Sequence, residues 1–169
     1  QIQKEVKIIN NQIMLNHYNE KEIFDKIVIA DSTLRKAFQQ SKTQIHARHL
    51  FSKSIEGANQ LKRKLENGES FKLLAALAFQ DSILSSNGGD IGYFTFNEMD
   101  PNFEAAAFSL KDGEISNPVR TAHGFSIIQV IDRWVEPLIT EQDYQLHKMD
   151  FLHILKSRKR RDVVTEYTQ

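Results

Sequence analysis

The chain has seven glycines, and all of them fall between Gly57 and Gly124. The stretches before Ser54 and after Pro137 have none. Glycine supplies the backbone conformations that sharp turns require. The middle of this chain is therefore where the backbone reverses often, and its two ends run without such freedom. That distribution predicts a turn-rich α/β unit flanked by helices.

The ends carry helical periodicity. Ile2, Val6, Ile9 and Ile13 recur at four- and three-residue steps, which places them on one face of a helix. Glu20 to Ile27 reads as a second short helix. Asp31-Ser32 offers an N-cap for a third, with Leu34 and Phe38 one turn apart. Beyond the middle, Glu141 to Thr165 reads as a long helix carrying Tyr144, Met149, Leu152 and Leu155.

In the middle the period changes. Ile45, Ala47, His49 and Phe51 alternate with His46, Arg48, Leu50 and Ser52, the pattern of a strand. Glu56 to Glu66 reads as a helix stopped by Asn67-Gly68. Ser70 caps the next helix, through Phe71, Leu74, Ala75 and Ala78. Asp81 to Gly89 reads as a loop and Ile91 to Thr95 as a short strand. Asn102 is the expected cap of a helix that turns Phe103, Ala106, Ala107 and Leu110 inward. Pro118 to Ala122 and Phe125 to Trp134 read as two final strands, joined at His123-Gly124. The order β-α-α-β-α-β-β suggests a small antiparallel sheet with helices packed on it.

Composition excludes several classes of function. There is no cysteine, so there can be no disulfide, zinc–thiolate site or thiol nucleophile. Lys and Arg number 22, as do Asp and Glu, so net charge gives no pull toward nucleic acid or an anionic membrane. The basic run Lys156, Arg158, Lys159, Arg160, Arg161 lacks interleaved aromatics and reads as a solvated helix end. His46 and His49 are three apart in a strand, so they face opposite sides and make no metal pair. Gly88-Gly89-Asp90 lacks the spacing and lysine of a phosphate loop. No metal or cofactor is expected. No apolar run reaches the length of a membrane span. No signal-peptide pattern is present, and the chain opens inside a helical pattern, as expected of a piece of a longer protein.

Five stretches resemble the parvulin (rotamase) family in order and spacing. They are His46-Ala47-Arg48-His49-Leu50-Phe51; Asn87-Gly88-Gly89-Asp90-Ile91-Gly92-Tyr93-Phe94; Met99 with Phe103-Glu104-Ala105-Ala106-Ala107-Phe108; Gly113-Glu114-Ile115-Ser116-Asn117-Pro118-Val119; and Gly124-Phe125-Ser126-Ile127-Ile128. The resemblance implies a parvulin fold, a four-stranded antiparallel sheet with three to four packed helices, over residues 44–135. Residues 1–43 and 136–169 would be its helical flanks. It also implies peptidyl-prolyl cis/trans isomerisation. Met99 and Phe103 match the family's floor for the proline ring, with Ile91 at a third apolar wall. His49 matches the first of two histidines at the base of the site, and Thr121 a threonine that hydrogen-bonds within that polar cluster. Two positions depart from the pattern. Ser82 stands where the family has cysteine or aspartate, and Ser126 where it has the second histidine. His123, three residues before Ser126, is a candidate to replace the missing ring.

An X–Pro bond rotates slowly because its amide has partial double-bond character, with a barrier of roughly 18–20 kcal/mol. No bond has to break. A site that prefers the twisted amide by about 4 kcal/mol gives a thousandfold acceleration. An apolar slot for the ring and polar groups aimed at the amide are enough. The arrangement of a parvulin domain between helical segments is similar to the foldase-chaperones of the bacterial envelope, of the SurA and PrsA kind. That likeness implies proline-containing unfolded or nascent polypeptides as partners, a location in the bacterial cell envelope, and flanks that together build a substrate-holding helical domain. Separately, amphipathic flanks of this length are able to pair between copies. It leaves two readings open. One is an isomerase. The other is a chaperone or peptide-binding module in which the serine departures have weakened or ended turnover. With no basic trio beside His49, neither reading requires a phosphorylated partner.

Overall fold

The computed structural model describes residues 24–167. The expected helix through Ile2, Val6, Ile9 and Ile13 lies outside the described residues, as does the start of the one from Glu20 to Ile27. The chain divides into two compact units. One runs from Gln39 to Ile139, and the other is formed by the chain up to Phe38 and from Thr140 onward.

The larger unit follows the order β1 (Thr43–Ser52), α2 (Ile55–Glu66), α3 (Phe71–Ala78), α4 (Ser82–Asn87), β2 (Asp90–Phe94), α5 (Pro101–Ser109), β3 (Val119–Thr121) and β4 (Gly124–Val135). It follows α1 (Asp31–Ser41) and precedes α6 (Glu141–Tyr167). The strands form a four-stranded antiparallel sheet in the order β2-β1-β4-β3. This is the α+β arrangement, a four-stranded antiparallel sheet with helices packed on it, that the resemblance implied.

β1 is an inner strand, and helices cover the sheet on both sides of it. On one face Ile45 and Ala47 join Phe94, Ile128 and Val130 under Phe103 and Ala107 of α5. On the other, Leu50 and Ile127 pack against Phe71, Leu74 and Ala75 of α3, with Leu61 and Leu65 of α2 alongside. The strand alternation groups Leu50 with His46, Arg48 and Ser52. In the structure Leu50 is fully buried, because α3 turns that side into a second core.

Local chemistry sets the helix boundaries. Ser54 and Ser70 cap α2 and α3 by accepting from the N–H groups of Gly57 and Leu73. Two boundaries differ from expectation. Asp81 to Gly89 is not a loop. Asp81 Oδ1 accepts from the N–H groups of Ile83 and Leu84, and left-handed Gly88 ends the turn, so six residues close into α4. The cap of α5 is Asp100 rather than Asn102. Pro101 occupies the first turn, where its missing N–H costs nothing, and Asn102 donates to Asp100. The β3–β4 loop is Ala122-His123, since Thr121 already pairs with Gly124.

In the smaller unit, Phe38 of α1 packs against Tyr144 and Phe151 of α6, with ring centroids 5.6 and 5.7 Å apart. Asp31 is the first residue of α1 rather than its cap, and the Leu34 N–H reaches Ala30 instead. The Asp31 carboxylate accepts from Lys148 Nζ (2.6 Å), Tyr144 Oη (2.7 Å) and Arg35 Nε (2.8 Å), which hold it well below the usual carboxylate range. Tyr144 and Phe151 are two turns apart and share the inward face. Met149, five residues after Tyr144, projects to solvent.

Leu74 has no exposed surface and sits at the centre of the α3 core. Leu74→Ala should lower unfolding stability by about 2–5 kcal/mol. Urea denaturation should show this as a lower midpoint at unchanged slope.

Candidate active site

His49 lies on β1 opposite Ile128 of β4, and Ser126 lies two residues away on the same strand, opposite Phe51. Side chains two apart share a face, so the ladder brings His49 and Ser126 together diagonally. His49 Nδ1 is 3.3 Å from Ser126 Oγ, at the long end of a hydrogen bond. Ser126 is 3 % exposed. The His49 ring is walled by Phe79, 5.2 Å away between centroids, and by Phe103, edge-on at 5.6 Å.

The backbone around His49 is fixed by a glycine. The His49 N–H donates to the Gly89 carbonyl at 2.9 Å. A Cβ on Gly89 would stand 2.1 Å from the His49 carbonyl oxygen, and its φ of +77° is one that side-chain-bearing residues rarely adopt. Glycine here lets the α4–β2 turn approach β1 closely enough to hold the histidine in place.

The apolar part of the site comes from α5 and the segment before it. Phe103 is 2 % exposed, and Ile91 and Met99 pack on the same cluster while remaining partly exposed. Met99 is held by its backbone, whose N–H donates to Glu104 Oε1 at 2.9 Å. Glu104, itself 2 % exposed, thereby sets the turn that carries Met99.

The other expected residues lie differently. Thr121 Oγ1 donates to the Gly124 carbonyl at 3.2 Å, so it ties the β3–β4 hairpin rather than the His49–Ser126 pair. Ser82 is exposed at the start of α4, where its carbonyl accepts from Ser85 Oγ. His123 is exposed at the hairpin tip, and Ser126 rather than His123 faces His49. A loop residue at a tip points away from the sheet interior, which is why nearness in sequence does not make His123 a substitute ring.

Sequence reasoning missed Phe79, Asp100 and Glu104. Asp100-Pro101 ahead of an apolar run was a readable capping signal. Phe79 ends α3 in extended conformation, outside any helical period, and only the fold brings it to His49.

Burial between these rings lowers the His49 pKa to about 4. The imidazole is therefore neutral at physiological pH, and the pair consists of two uncharged groups that can each donate and accept. Twisting an amide ends its resonance and returns the lone pair to nitrogen. A neutral polar pair beside an apolar slot can hydrogen-bond that form without the desolvation cost of a buried charge.

Residues 51–132 match the model of the rotamase family, described as the PPIC-type PPIase domain. The central domain belongs to the PPIC-type parvulin family. Over 127 residues the chain is 37% identical to the foldase protein PrsA of Geobacillus kaustophilus, an alignment spanning 75% of this chain and 45% of that protein. It is 32% identical over 153 residues to a parvulin-like PPIase of Rickettsia bellii, spanning 86% of this chain and 54% of the relative. The crystal structure of the peptidylprolyl isomerase PrsA from Bacillus anthracis superposes with a TM-score of 0.58 at 30% identity, covering 90% of this chain and 65% of that one. The chain thus spans about half the length of the curated relatives it matches.

The parvulin domain's neutral histidine has a measurable consequence. The unfolded state binds the proton with a pKa near 6.5 and the folded state only near 4. The stability gained by keeping His49 neutral is present above pH 6.5 and is lost as pH falls toward 4. Urea unfolding of wild type and His49→Gln across this range should show wild type losing about 2–3 kcal/mol more than the variant. A difference that stays constant with pH would show that His49 titrates normally.

Proposed function

We propose that the parvulin domain catalyses cis/trans isomerisation of X–Pro bonds in unfolded or nascent polypeptides, without covalent chemistry or a cofactor. The observation that carries this reading is the meeting of the His49–Ser126 pair with Phe103, whose ring touches His49 and belongs to the cluster that Met99 and Ile91 join. In this reading Met99, Phe103 and Ile91 hold the proline ring, while His49 and Ser126 face the amide. Thr121 acts indirectly, by fixing the hairpin that leads into Ser126. Ser82 and His123 stay on the rim, where they touch the peptide outside the reacting bond. Residues 44–135 form the catalytic domain and the chain on either side forms a helical region that holds clients or pairs between copies. The bacterial cell envelope is the proposed location, supported by the likeness to PrsA foldases.

A second reading is favoured by a separate observation. Leu73 and Leu77 of α3 and Ile83 of α4 expose large apolar side chains. A domain that holds extended chains on such a surface could serve as a chaperone with little turnover.

NMR exchange spectroscopy on an Ala-X-Pro-Phe peptide separates the two. The isomerase reading predicts exchange well above the uncatalysed rate, reduced roughly tenfold or more by His49→Ala and by Met99→Ala, which corresponds to about 1.4 kcal/mol of barrier or more. Peptide shifts that report binding without faster exchange would leave the chaperone reading in its place.

A further inference from the structure

Asp100 uses its two carboxylate oxygens on two different elements. Oδ1 accepts from the Asn102 N–H at 2.9 Å and the Phe103 N–H at 3.3 Å, which caps α5. Oδ2 accepts from the Ala122 N–H at 3.0 Å, across to the β3–β4 loop. Capping needs only one acceptor oxygen, and serine or asparagine does it as well as aspartate. The second oxygen is therefore not explained by the helix.

What it joins has a function in the reading above. On one side of Asp100 stand Met99 and Phe103, the apolar floor. On the other stands the hairpin, with Thr121 closing on Gly124 and the strand running two residues further to Ser126. The Gly124 position is itself tight, since a Cβ there would lie 2.5 Å from the Ser52 carbonyl oxygen and 3.0 Å from the Phe51 ring. The base of the hairpin is thus fixed against β1, and its tip at Ala122-His123 is exposed. Val119 at the start of β3 packs on the α5 cluster, and the Ala122–Asp100 hydrogen bond adds a second tie to α5 at the loop tip.

Resting on the isomerase reading, we propose that Asp100 is a positioning residue that sets the width of the peptide cleft between the α5 floor and the β3–β4 loop. It touches neither the proline ring nor the amide. It holds the two walls at the separation at which Phe103 and Ser126 engage the same peptide. An ionised carboxylate suits this role because it presents acceptors to both walls and makes charge-assisted bonds to backbone N–H groups.

Two substitutions separate positioning from capping. Asp100→Ser keeps a cap but is too short to reach Ala122. Asp100→Asn keeps a cap through Oδ1 and turns an N–H toward the Ala122 N–H. Both lose the Ala122 bond, so both should lower the urea midpoint slightly, and less than Asp100→Ala, which also loses the cap. Both should raise KM in the exchange assay, and the peptide Kd by NMR titration, roughly five- to tenfold, within the loss that a misplacement of about 1 Å can cause. The Ala122 amide resonance should move upfield as its hydrogen bond is lost. Unchanged KM and Kd in both variants, in a wild-type protein that binds and turns over the peptide, would overturn the positioning role and leave Asp100 a cap. A lowered urea midpoint with unchanged KM would do the same. A wild-type protein that neither binds nor turns over the peptide would overturn the isomerase reading itself, and this assignment with it.

Discussion

The hydrogen bond from the His49 N–H to the Gly89 carbonyl is the constraint on which the rest of the site depends. It ties an inner strand of the sheet to the turn between α4 and β2, and it can form only because residue 89 has no Cβ to collide with the His49 carbonyl. With β1 held there, the antiparallel register brings Ser126 diagonally beside His49. The two cores then follow, with α5 over Ile45 and Ala47 and α3 over Leu50. The histidine ends between aromatic rings at the edge of the α5 core, where burial keeps it neutral.

This geometry explains how serine is accommodated at position 126. The group facing His49 is small, buried and uncharged. Phe79 and Phe103 stand against the other sides of the His49 ring. Isomerisation of an amide moves no proton and breaks no bond, so it does not require an ionised group. In the proposed isomerase, a neutral pair beside an apolar slot acts on the twisted amide and contributes less electrostatic preference for it than a charged pair would.

Much of the fold was legible in the chain. The glycine distribution marked the turn-rich unit, Ser70 and Asn67-Gly68 marked helix ends, and the alternation from Ile45 to Ser52 marked β1. What was misread has local physical reasons. Period-two patterning also could not show that α3 covers the second face of β1 and buries Leu50. The six residues of α4 are too few to display a helical period, and only the Asp81 cap and Gly88 stop signal them. At the site, the β1–β4 ladder places His49 beside Ser126, and α5 brings Phe103 to the His49 ring, with Ile91 and Met99 packed on the Phe103 cluster, Met99 from the turn ahead of α5. Thr121, Ser82 and His123 do not join His49, because a hairpin and a helix start point side chains in directions that sequence spacing does not encode. Phe79, Asp100 and Glu104 act through contacts between segments distant in sequence or through backbone groups, which a residue-by-residue reading does not see.

The central claim is that this parvulin domain works with an uncharged site. The pH dependence of kcat/KM for peptide isomerisation, followed by NMR exchange from pH 5.5 to 9, tests it most directly. With His49 titrating near 4 and Ser126 as its partner, the profile should be flat across that range. A profile that rises or falls with an apparent pKa between 6 and 8 would mean that an ionising group drives catalysis, and would contradict the account.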